Sequence, residues 1–190
     1  PPPPPPFSSR RRHPRSCILS RGLGDVYKRQ ALAPHTQKLV VDTSKGALKR
    51  LITRPSAPLH ILRLDQREAE QAAGHPLDTM DDSIAFSRTL IARGVARAIV
   101  TGRAAEGSIL VSTDACYICR APQVPVVSKI GAGDAFVGAL TLSLARGHPQ
   151  DVALQWGVAA ASATMATAGT GLCDLPSVEA LLPRCHLERG

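Results

Sequence analysis

The stretch Ile130-Gly131-Ala132-Gly133-Asp134-Ala135-Phe136, followed at once by the apolar, small-residue run 137–144, constrains this chain more than any other feature. The run at 124–127 ahead of it reads as a strand, so the chain enters a glycine turn as a strand and leaves it as a helix. That arrangement directs unpaired backbone N–H groups and the positive end of a helix dipole at one spot, which makes an anion site. Asp134 sits one step inside the helix, beside that spot. A carboxylate there is poorly suited to holding a phosphate and well suited to accepting a proton from a hydroxyl that attacks one. The spacing therefore points to phosphoryl transfer. The plainer alternative is a helix start whose Asp complements the dipole. A Walker loop is excluded, because no G-K-[ST] follows.

From residue 39 onward, strand-like and helix-like segments alternate. Short apolar runs at 39–41, 60–64 and 98–101 read as strands. The first ends at Asp42-Thr43-Ser44, residues that suit a strand end and a helix cap. Helices are expected at 47–52, stopped by Pro55 and Pro58, and at 65–73, with the Asp65 carboxylate as N-cap. A third is expected at 79–93, with Ile84, Leu90 and Ile91 inward and Gly94 closing the last turn. Segments 108–112 and 117–121 read as a β pair, and 133–145, 150–165 and 178–182 as helices. The order predicts an α/β fold with a mostly parallel sheet covered by helices. Such sheets take ligands at the carboxyl ends of their strands, where Asp42, Asp65, Thr101 and the glycine turn fall.

The 190 residues leave room for one domain with a real core. The formal net charge of +8 is unevenly spread. Residues 1–30 hold six Arg and one Lys against one Asp, whereas residues 31–190 hold 16 basic and 14 acidic side chains. The folded part is nearly neutral, which argues against nucleic acid as a partner. No apolar run approaches the ~20 residues needed to span a membrane. Residues 1–30 show no helical or strand period and too little apolar surface to order themselves. Their second half resembles translated sequencing-adapter read-through. Residues 1–30 are therefore expected to be a disordered, non-native leader, and 31–190 the folded part. Residues 17–19 are too short for the apolar core of a signal peptide, so a reducing cytoplasm is the expected compartment.

Cys116 and Cys119 form a C-x-x-C on an expected strand. Side chains three apart on a strand face opposite ways and do not share a metal, so these thiols read as structural. His13, His35, His60, His75, His148 and His186 are scattered without ligand spacing, and Trp156 reads as core.

The segment 130–136 resembles the second signature of the pfkB-type (ribokinase-like) carbohydrate kinases, D-T-x-G-A-G-D-x-F. Ser128-Lys129-Ile130 stands where the leading Asp usually falls. The likeness covers about 39–182, through Gly157-Val158-Ala159-Ala160-Ala161 and Gly169-Thr170-Gly171-Leu172-Cys173. It is nearest to the phosphofructokinase and hexose-phosphate kinase subgroup, which tends to lack that Asp. The resemblance implies a ribokinase-like fold, ATP and Mg²⁺ as cofactors, and a sugar phosphate as substrate, fructose 6-phosphate foremost. It casts Asp134 as the catalytic base and the Gly131-Ala132-Gly133 turn as the anion hole.

The family's N-x-x-E, which holds water around Mg²⁺, corresponds to Asp65-Gln66-Arg67-Glu68. That places Glu68, and Asp65 by analogy, at the metal. Without the resemblance, this is an ordinary charged helix start. Arg63 stands where the family has a Lys, as a phosphate contact. The family's S/T-x-G-x-x-G falls with irregular spacing on Thr101, Gly102 and Gly107, casting them as nucleotide contacts; a plain β-turn is the alternative. The alanine-rich run 159–168 either lines an adenine pocket or packs helices.

Family members carry a sugar-binding Gly-Gly, Asn residues and a small β lid in their N-terminal half, with no counterpart here. The chain is thus expected to be the C-terminal part of a longer kinase, nearly inactive by itself and exposing a sheet edge. The parent is expected to pair as a homodimer through the lid. The competing readings are a kinase for another acceptor (tagatose 6-phosphate, fructose 1-phosphate, a free sugar or a nucleoside) and a non-catalytic nucleotide-binding remnant. A basic-tailed nucleic-acid binder, losing affinity steeply with salt, is the reading from another class.

Overall fold

Among the described residues, seven strands form one sheet whose spatial order follows the chain. The computed structural model describes residues 16–19, 38–55, 57–169, 171 and 173–190. The expectations for residues 1–15 and 20–30, and for His13, His35, Thr170 and Leu172, fall outside these. Strands β1 (Ser16–Leu19), β2 (Lys38–Asp42), β3 (Leu59–Asp65) and β4 (Ala96–Gly102) run parallel. Strands β5 (Ser108–Ser112), β6 (Cys116–Arg120) and β7 (His186–Arg189) extend the sheet antiparallel. Helices α1 (Lys45–Thr53), α2 (Gln66–Ala73) and α3 (Met80–Ala92) cover one face, and α4 (Ala132–Ala145), α5 (Gln150–Met165) and α6 (Leu175–Leu181) the other. The result is the expected three-layer α/β arrangement.

Strand alternation divides the core. Leu39, Val41, Leu62, Leu64 and Ile99 pack with Leu48, Leu51 and Leu90 beneath α1–α3. Val40, Ile61, Ala98, Val100 and Leu110 pack with Phe136, Leu140, Leu154 and Val158 beneath α4–α6. Both faces are dry, which is why these strands read as continuous apolar runs rather than as alternating ones. With aromatics at 3% of the chain, closeness has to come from small residues. Gly157 lets α5 approach α4 so nearly that a Cβ there would lie 3.0 Å from two ring carbons of Phe136.

The helix starts follow the capping residues. Asp65 accepts from the Glu68 amide while Glu68 accepts from the Asp65 amide, and Thr79 and Asp82 repeat this reciprocal box at α3. Gly74 ends α2 with φ 80°.

Three expectations are corrected and one strand was not foreseen. Residues 124–127 join no ladder; Pro122 and Pro125 remove donors that pairing would need. Instead, the Val127 and Ser128 amides donate to the Met165 carbonyl at the end of α5, at 2.8 and 3.2 Å. Within the residues expected to be a disordered leader, Ser16–Leu19 forms β1 and pairs with β2 from Ser16–Lys38 to Leu19–Val41. A neighbouring ladder supplies that order, and a local period does not reveal it. The sequence reading also missed β7, four residues of mixed polarity that exist only by pairing with β6. Finally, α6 begins at Leu175, because Asp174 caps it through the Ser177 amide.

Candidate active site

Gly131 turns the chain into α4. Its φ of 78° and ψ of −6° lie in the left-handed region, which glycine occupies without a Cβ penalty. The Gly131 carbonyl accepts from the Ala135 amide at 2.8 Å. The amides of Ala132, Gly133 and Asp134 bond to no described residue. Three donors at the positive end of a 14-residue helix therefore stand open to an anion. The Asp134 side chain is exposed and makes no hydrogen bond or ion pair among the described residues. It is a carboxylate beside the three open amides.

Arg63 brings a cation to the same place. It stands two residues before the end of β3 and points to the α4 side of the sheet, as its register partner Val100 does. A Cβ built on Gly133 would lie 3.4 Å from Arg63 Nη1, and one built on Gly102 would lie 3.5 Å from Nη2. Arg63 Nη1 also donates to Asp42 Oδ2 at 3.4 Å, with side chains only 14% and 10% exposed. Asp42 ends β2 opposite Arg63 in the register. It orients the guanidinium, a role that the sequence reading missed although it placed Asp42 at a strand end.

The carboxylates of Asp65 and Glu68 form the box that starts α2, at 2.8 and 2.9 Å. One oxygen of each is engaged there. Glu68 is buried, and burial pushes its carboxyl above the ordinary range, with the charges of Asp65 and Asp42 adding to the push and Arg63 opposing it. Among the described residues no group of three His, Cys, Asp or Glu side chains is arranged as a metal cage. The donors present suit an ion that keeps most of its waters, as Mg²⁺ does with one or two carboxylates.

The structure thus brings together Gly131, Ala132, Gly133, Asp134, Arg63 and Gly102, with Asp65 and Glu68 alongside. Thr101 does not join them. It lies opposite Leu64, on the α1–α3 side, and its buried hydroxyl has no partner among the described residues. Strand alternation separates it from Arg63. Gly107 has a packing reason of its own. With φ 101°, a Cβ there would collide with the Cys119 carbonyl and come within 2.8 Å of Arg120 Cα. In the alanine-rich run, Ala159, Ala160 and Ala163 are buried against the core, so they pack the helix. The turn after β4 is held by Arg103, which donates to the Leu77, Asp78 and Thr79 carbonyls, Ser83 Oγ and Glu106. An arginine next to a glycine was the only hint of it in the sequence.

Residues 25–177 match the family described as pfkB family carbohydrate kinase. An ATP-dependent 6-phosphofructokinase isozyme 2 of Mycobacterium tuberculosis is 33% identical over 141 residues, covering 74% of this chain and 40% of the relative. The 1-phosphofructokinase of Escherichia coli is 29% identical over 150 residues, covering 79% and 47%. The crystal structure of phosphofructokinase-2 from E. coli in complex with substrates and products superposes with a TM-score of 0.79 at 24% identity, covering 88% of this chain and 56% of that one. The chain therefore spans less than half the length of these curated relatives. The glycine turn, the open amides and the family match across most of the chain agree, and the chain belongs to the pfkB family of carbohydrate kinases.

Proposed function

We propose that this chain carries the nucleotide-binding and proton-accepting part of a kinase that moves the γ-phosphoryl group of ATP to a sugar-phosphate hydroxyl. Fructose 6-phosphate is the foremost acceptor. The observation that carries the reading is the α4 N-terminus, where three open amides, the Arg63 guanidinium and the free Asp134 carboxylate meet. Relatives named for the 6- and the 1-position support fructose phosphates as the acceptor class.

In this reading the Asp134 carboxylate accepts the proton of the attacking hydroxyl. The amides of Ala132, Gly133 and Asp134 stabilise the charge on the transferring phosphoryl group in place of water. Arg63, steadied by Asp42, offsets the charge of the neighbouring phosphates. Asp65 and Glu68 would hold Mg²⁺ through their remaining oxygens, and the ion supplies charge neutralisation when bound. The sugar is recognised by parts of a longer protein, as the coverage of the relatives suggests. The compartment in this reading is the cytoplasm; among the described residues no helix is long and apolar enough to cross a membrane.

The test is an ATP titration of the 190-residue chain and of its Arg63→Met variant. Loss of a charge-assisted contact should weaken binding by about tenfold or more. Equal affinity in the two proteins, or no ATP binding by either, would overturn the assignment. Phosphoryl transfer to fructose 6-phosphate against fructose 1-phosphate, in the longer kinase that carries this segment, decides the acceptor.

A further inference from the structure

We propose that a cleft at the amino-terminal ends of β3 and β4 binds a small organic oxyanion, a phosphate monoester or carboxylate that also carries a hydroxyl group. The cleft has a volume of about 680 Å³. Its lining runs from the end of α3 to the first residue of α5 and includes the turn between β5 and β6. Ligand pockets commonly measure about 300–1,000 Å³, so the space suits a small molecule. Arg63, Gly102 and the α4 N-terminus lie at the other end of the parallel strands, so the cleft is separate from the candidate active site.

The backbone keeps this space open. Gly94 follows α3 with φ 72°, and a Cβ built there would meet nothing within 4 Å. Ala96 and Ala115 on the adjoining walls are too short to fill the hollow. The β5–β6 turn is closed by its own bonds. The Ser112 amide donates to the Ala115 carbonyl at 2.8 Å, and the Ala115 amide donates to Ser112 Oγ at 3.1 Å.

The groups around the cleft set the chemistry of its occupant. His60, Arg97, Thr113, Asp114, Tyr117 and Gln150 line it, and none of these six side chains makes a hydrogen bond or ion pair among the described residues. Polar groups gathered on one cavity without internal partners are placed to serve a polar ligand. The guanidinium fork of Arg97 matches the two oxygens of a phosphate or carboxylate. Lys38 starts β2 close by and donates to the Leu144 carbonyl at 3.0 Å. Burial, with the charges of Lys38 and Arg97 adding to it, holds His60 below its ordinary range. At neutral pH Arg97 therefore supplies the charge and His60 a neutral hydrogen-bonding ring. Asp114 stands exposed on the same lining. Its carboxylate repels a bare anion and accepts from a hydroxyl, which is why the ligand carries both groups.

The test follows the amide resonances of the ¹⁵N-labelled 190-residue chain at pH 7.5 during titration with glycerol 3-phosphate, and separately with glycerate, to about 10 mM. Amides at 94–97 and 112–117 should shift along one saturating curve. Arg97 is exposed, so Arg97→Met should keep the spectrum of the fold while weakening this binding about tenfold or more. Arg63→Met, at the other end of the strands, should leave it within about twofold. Inorganic phosphate, which lacks the hydroxyl-bearing carbon chain, should bind about fivefold more weakly than glycerol 3-phosphate. The tighter of the two organic probes identifies the head group as phosphate or carboxylate. The proposal is overturned if neither probe gives a saturating shift at these amides, if Arg97→Met binds as tightly as the parent, or if inorganic phosphate matches the organic probes.

Discussion

Replacing Arg103 with Met removes five hydrogen bonds while keeping much of the side-chain volume. Arg103 is 3% exposed, and it ties the turn after β4 to the segment between α2 and α3. Its bonds differ in worth. Glu106 is 53% exposed and rehydrates freely, so that ion pair contributes little. The Asp78 and Thr79 carbonyls lie on exposed residues and also regain water. The bonds to the Leu77 carbonyl and Ser83 Oγ, both 2.8 Å, are buried. Two buried acceptors left without donors cost about 1–3 kcal/mol each. Burying a methionine stem returns part of that, so a net loss of about 3 kcal/mol is expected. For a denaturant dependence of about 2 kcal/mol/M, the urea midpoint falls by roughly 1.5 M. Trp156 fluorescence and far-UV circular dichroism follow the transition, and hydrogen exchange at residues 76–80 should rise with it. A midpoint within about 0.3 M of the parent's would show that these bonds are replaced by water at little cost, and the reasoning would fail.

Glu68→Gln keeps the capping box, since glutamine serves at that position, and removes a buried charge. The folded-state pKa of Glu68 is raised from 4.5, so the folded protein binds that proton more tightly than the unfolded chain. Stability therefore falls as pH rises through that window. The variant should melt above the parent at pH 7.5 and level with it near pH 4; a variant less stable at pH 7.5 contradicts the sign. Gly157→Ala forces a Cβ against the Phe136 ring at 3.0 Å, which costs about 1–3 kcal/mol against a helix-propensity gain of up to ~1. Pairing it with Phe136→Leu should remove most of the penalty, and purely additive effects in urea melts would rule out the clash. Under the proposed function, Asp134→Asn should leave ATP affinity within about threefold while lowering phosphoryl transfer by roughly 10²–10⁴ in a full-length family kinase into which this segment is built. Retained transfer would disqualify Asp134 as the base.

The chemistry of the glycine turn was legible because it is local. Gly131 is needed for a left-handed φ, and the first amides of any helix are free, so the open amides follow from four consecutive residues. Asp65 was legible as a helix cap for the same reason, whereas the reciprocal bond from Glu68 that completes the box was not read. Apolar runs bounded by polar residues likewise located β2, β3, β4 and the helices between them. What the chain could not announce depends on neighbours distant in sequence. Strand alternation puts Arg63 under the α4 N-terminus and turns Thr101 away from it, although both lie at strand ends. Asp42 meets Arg63 only because β2 and β3 are in register. Strands β1 and β7 exist through the ladders they join. Sequence alone determined the backbone conformation that leaves the first amides of α4 open. The sheet decided which side chains face it, because register and pleat are settled by pairing between segments and not within any one of them.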